Sequence, residues 1–170
     1  MTLISWRDDY QVGVPLIDSE HRYLIGLINE FHDKHASGGG HRQVMAVLNS
    51  LVSYAEQHFQ HEEALMTEIG YPRLAQQRDM HEELYSSIFA LNEELSLDMA
   101  KVDAKTMRFL QRWLLEHIIK EDMGIGDFLR RKTAQAERVA KEGGRTEAAD
   151  ATAAKTPGVD AAAGAGATRT

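Results

Sequence analysis

Residues 44–69 read VMAVLNSLVSYAEQHFQHEEALMTEI, and apolar side chains recur there at steps of three and four: Val44, Val47, Leu48, Leu51, Ala55, Leu65, Met66 and Ile69. That period marks an amphipathic helix with one face turned to a core. His58 and Glu62 fall on the same face, so they continue the apolar stripe rather than flank it. Gly70 follows as a stop signal, and Pro72 stands where the first turn of another helix tolerates proline.

The same pattern recurs on both sides. Upstream, Asp18 or Ser19 is placed to cap a first helix on which His21, Leu24, Ile25, Ile28, Phe31 and His35 share a face, until Gly38-Gly39-Gly40 ends it. Downstream, Leu74, Gln77, His81, Leu84, Ile88, Leu91 and Leu95 line a third helix. A fourth starts at about Ala104 and aligns Met107, Leu110, Leu114, His117 and Glu121. No period-two segment supports a strand. The expected fold is therefore all-α, an up-down-up-down four-helix bundle. Residues 1–18, with Gly13 and Pro15, read as an extended N-terminal arm anchored by Trp6, Tyr10 and Val12. On this reading residues 1–130 form the bundle and 131–142 a charged helical extension. Residues 143–170, rich in Ala, Gly and Thr, are a disordered tail, because they carry too few large apolar side chains to offset their ordering entropy.

Composition narrows the functions. A net charge of −7 over 170 residues, with no concentrated basic face, argues against nucleic acid as a partner. No apolar run approaches the roughly 20 residues of a membrane span. The start MTLISWRDDYQ lacks the basic, then apolar, character of a secretory signal, so the cytoplasm is the expected compartment. The chain has no cysteine, which excludes disulfides, thiolate metal sites and cysteine nucleophiles. Any metal must be held by nitrogen and oxygen.

Four helices each turn imidazole, carboxylate or amide inward: His21, then His58 with Glu62, then Gln77 with His81, then His117. Burying such groups singly costs on the order of 2–7 kcal/mol each unless they find partners. A shared cation satisfies them together, and residues four apart on a helix, such as His58 and Glu62, converge on one ion. Two ions bridged by carboxylates would use all of these groups at once, as carboxylate di-metal bundles do. His61 falls off the stripe, at the surface or supporting a stripe residue. His32, His35 and His41 lie at its edge or beside the glycine turn, and ordinary surface roles account for them.

Three runs carry a family resemblance. Trp6-x3-Tyr10-x-Val12-Gly13-x3-Ile17-Asp18-x2-His21 resembles the N-terminal signature of the bacterial hemerythrins. So does His58-Phe59-x2-Glu62-Glu63-x-Leu65-Met66, followed by Gly70-Tyr71-Pro72. His117-Ile118-x3-Asp122 resembles the closing motif of the family. Together they cover about residues 1–130. The resemblance implies a non-haem di-iron centre, two Fe ions that bind dioxygen reversibly for transport, storage or sensing, in a protein that is not an enzyme and has no catalytic residues. By resemblance, His21 and His58 bind one iron, His81 and His117 bind the other, and Glu62 and Asp122 bridge the pair. Spacing alone favours Glu121, four residues after His117; the family pattern places the bridge five residues on, at Asp122, which calls for a local loosening of the helix near Gly124 and Gly126. The family's pattern also has histidine where this chain has Gln77. The amide oxygen of Gln77 either ligates weakly or leaves the position to water.

Other readings stand beside this one. An altered di-iron site could serve metal handling or redox chemistry, and a bundle with a decayed site could be a structural module. Ferritin-like oxidase chemistry is disfavoured, because no histidine here follows a glutamate by three residues. A zinc hydrolase is disfavoured too, since no His-Glu-x-x-His run occurs.

Overall fold

The computed structural model of the protein describes residues 2–153. It is all-α, with no strand among the described residues: α1 Pro15–Ala36, α2 His41–Ile69, α3 Leu74–Leu97, α4 Ala104–His117 and α5 Met123–Ala153. A π-helical turn, Ile118–Asp122, joins α4 to α5, so the two form the fourth rod of a four-helix bundle. No described helix is long and apolar enough to cross a membrane.

Local chemistry sets the helix ends. α1 starts earlier than its expected cap at Asp18 or Ser19. Pro15 occupies its first turn, where the fixed φ suits a helix and the missing N–H would have had no intrahelical partner. Asp18 works backwards instead, accepting from Val12 N at 2.7 Å and Gly13 N at 3.1 Å, and so folds the arm onto the helix it precedes. Gly70 ends α2 in the left-handed region, φ 67°, while Tyr71 N returns to Met66 O at 2.8 Å. Asp103 and Thr106 form a reciprocal capping box at the start of α4.

The arm is extended apart from one 3-10 turn, Asp8–Tyr10. Tyr10 and Val12 are buried, Trp6 is half-buried, and Trp6 meets Tyr10 edge to face at 5.9 Å between centroids. Ile4 exchanges two backbone hydrogen bonds of 2.8 Å with the Asn29 amide on α1. Gly126 is required where it stands, because a Cβ there would collide with the Val12 carbonyl.

Two apolar clusters fill the bundle. The larger takes Leu24, Ile28, Phe31, Leu48, Leu51, Ile88, Leu110 and Leu114. The smaller takes Val12, Ile17, Met66, Ile69, Tyr71 and Ile125. Along every rod but α3, the inward polar residues lie in sequence between members of the two clusters. A polar layer is thus enclosed above and below by hydrocarbon.

The loosening expected near Gly124 and Gly126 lies upstream of both, at Ile118–Asp122. The charged helix expected over 131–142 belongs to α5, which runs on to Ala153. The disordered tail is expected from residue 143, and 143–153 continue α5. The rest of that expectation, 154–170, lies outside the described residues.

Candidate metal centre

Each rod of the bundle presents its polar residues where its core face dictates. His21 follows Ile17 and precedes Leu24 on α1, and His58 and Glu62 stand one turn apart on α2. On α3 the buried residues are Gln77, His81, Ile88 and Leu95, a single inward row. His117 closes α4, and the π turn carries one residue more than a regular α turn. That extra residue brings Asp122, five positions on, to the face His117 occupies. Glu121, which regular spacing favours, turns outward and pairs with Arg73 at 2.8 Å.

The six residues converge, and the side chains of His21, His58, Glu62 and Asp122 are wholly buried. The two carboxylates sit between pairs of imidazoles. Glu62 Oε1 lies 3.8 Å from His21 Nε2 and 3.6 Å from His58 Nε2. Its other oxygen, Oε2, lies 3.2 Å from His81 Nε2 and 3.7 Å from His117 Nε2. Asp122 divides likewise, with Oδ2 3.2 Å from His21 Nε2 and Oδ1 3.2 Å from His117 Nε2. Two donor groups result, His21–His58–Glu62–Asp122 and Glu62–His81–His117–Asp122, each with its ligating atoms within 4.8 Å of one another. The groups share both carboxylates.

These inward atoms have no hydrogen-bond partner: both oxygens of Glu62 and Asp122, and the Nε2 atoms of all four histidines. Such a cluster is costly by itself, since unpaired buried polar atoms are rare in folded proteins. An imidazole and carboxylate set suits a first-row transition metal, and a cation would engage every one of those atoms. The residues present therefore fit a metal.

The far sides of two histidines are held by carboxylates that the sequence reading passed over. Glu20, only 4% exposed, faces the Nδ1 atom of His58 at 3.0 Å and the Nδ1 atom of half-exposed His61. Its place three residues after Ile17 and four before Leu24 was the available signal. Glu63 faces His81 Nδ1 at 3.0 Å and is itself paired with Arg78 at 3.1 Å. Phe59 stacks on His81 with centroids 4.3 Å apart. His32 pairs with neighbouring Asp33 at 3.0 Å, away from the centre.

Electrostatics follow from the burial. Burial works against charge on His117, but the Asp122 and Glu62 carboxylates outweigh it and raise the pKa to about 9. His58 is raised in the same way, its burial overcome by Glu62, Glu20 and Asp122. Burial pushes Glu20 up, yet its bonds to His58 and His61 hold it below the usual carboxylate value. Glu62 falls well below that value, because the surrounding imidazoles overcome a large desolvation penalty.

Comparison with known proteins identifies the family. Residues 12–129 match the family model of the hemerythrin HHE cation binding domain. A bacteriohemerythrin of Stenotrophomonas maltophilia is 32% identical, over 85% of this chain and 93% of its own. One from Pseudomonas aeruginosa is 29% identical over the same shares. The crystal structure of a wild-type hemerythrin superposes with a TM-score of 0.68 at 29% identity, covering 75% of this chain and 98% of its own. A matching domain over most of the chain and a buried histidine–carboxylate layer at its heart make this protein a member of the hemerythrin family.

Proposed function

We propose that this protein binds dioxygen reversibly at a non-haem di-iron centre, with His21 and His58 holding one iron, His81 and His117 the other, and Glu62 and Asp122 bridging them. The observation that carries the reading is the division of the two carboxylates. Each turns one oxygen toward the first histidine pair and the other toward the second, and none of these oxygens has a hydrogen-bond partner. When bound, a pair of irons supplies the electrons that hold dioxygen.

The chain's own residues do the rest. Glu20 and Glu63 orient His58 and His81 through their Nδ1 atoms, which leaves each Nε2 facing inward. The apolar clusters on both sides of the layer limit the access of water.

Metal analysis combined with absorption spectra tests the proposal. Two irons per chain and a visible band that appears under oxygen and disappears on its removal are the expected result. Two irons without such a band would point instead to metal handling or redox chemistry, and little bound metal to a structural bundle.

A further inference from the structure

Polar groups facing the centre are unequal on its two sides. Both histidine pairs share the same two carboxylates, but Gln77 adds a buried neutral amide on α3, the helix that carries His81. It is wholly buried, one turn before His81 on the inward row of α3. Neither its Nε2 nor its Oε1 has a hydrogen-bond partner. An unsatisfied buried group costs about 1–3 kcal/mol, so a small species in the same layer is needed to engage the amide.

Coordination chemistry says where that species sits. On the two-ion reading above, on which this inference rests, two imidazoles and one oxygen from each carboxylate give each ion four protein donors. Iron in such imidazole–carboxylate sites keeps further positions open. A neutral amide oxygen is a poor competitor for one of them. Its N–H group, however, is a good donor to an anion, because hydrogen bonds to charged acceptors are the strong ones. Phe59 stacks on His81, and apolar clusters lie on both sides of the polar layer.

We propose that the ion held by His81 and His117 keeps an exchangeable position for a small monoanion, retained by a hydrogen bond from the Gln77 amide. The test titrates the iron-loaded, oxidised full-length chain with azide, counting azide bound per chain by calorimetry and absorption. Q77H should bind one azide fewer than wild type, because imidazole fills the position. Q77L keeps the position but loses the donor, and should bind that azide at least about ten-fold more weakly. Equal azide counts in wild type and Q77H, or equal affinity in Q77L, overturn the inference. Iron content separates the two ideas: fewer than two irons in wild type defeats the two-ion reading, whereas two irons with equal counts defeats only this one.

Discussion

Glu20 is a carboxylate with little access to water, held by the imidazoles of His58 and His61. It fixes which nitrogen of His58 points inward, and carboxylates in that role typically account for 10–100-fold in metal affinity. Glu20→Ala should therefore weaken iron binding by roughly that factor, measured by competition with a chelator; unchanged affinity would remove Glu20 from the support of the centre. Gln77 acts in the opposite direction. On the proposed dioxygen-binding reading, a position that admits water or an anion would expose the oxygenated form to displacement, so Gln77→His should lengthen its lifetime against autoxidation. Following the visible band over time checks this, and equal lifetimes in the two proteins would show that the amide does not set the rate. Both residues illustrate what the sequence leaves visible. Gln77 stands out because it breaks an apolar row, whereas the signal of Glu20, its spacing from Ile17 and Leu24, is easily overlooked beside His21 on the same row.

The π turn between α4 and α5 is the element that spacing alone misreads. In a regular α-helix each residue turns about 100°, which would point Glu121 inward and swing Asp122 away. The turn absorbs one residue and reverses that choice. Deleting exposed Lys120 should then be tolerated: the π turn closes to an α turn, and Asp122, Ile125 and Gly126 keep their faces. Deleting Arg112, one turn before the centre, should instead rotate His117 out of the layer by about 100° and cost the protein its metal. Iron content of the two deletion variants decides between these outcomes, and loss of iron in both would contradict the argument. The helices themselves were legible, because each repeats its apolar side chains at three and four. Where α1 starts was not, since Asp18 resembles a cap yet serves the arm, and Pro15 does the starting.

For the whole molecule, a buried layer of unpaired donors ties folding to the ion. Binding only to the folded state contributes about 4 kcal/mol when free metal is a thousand times Kd, so removing metal should lower the unfolding midpoint markedly, and scanning calorimetry with and without chelator measures the drop. The same reasoning locates the end of the part that needs to fold. Contacts within residues 1–130 form one compact unit. Ile125 is wholly buried in the smaller cluster, and Arg130 donates to the Val12 carbonyl at 3.2 Å while pairing with Asp127. Residues 131–142 are all exposed. A chain ending at Arg130 should accordingly keep its iron content, with a change in stability within about 0.5 kcal/mol, the usual range for surface changes. A chain ending at Asp122 retains all six proposed ligands but loses Ile125 and the seat of Val12 against Gly126. Loss of the Ile125 side chain alone is worth about 2–5 kcal/mol. Denaturant midpoints and iron content of the two truncations therefore separate holding the ligands from holding the layer that places them; equal stability of the two would mean that the smaller cluster contributes nothing to the bundle.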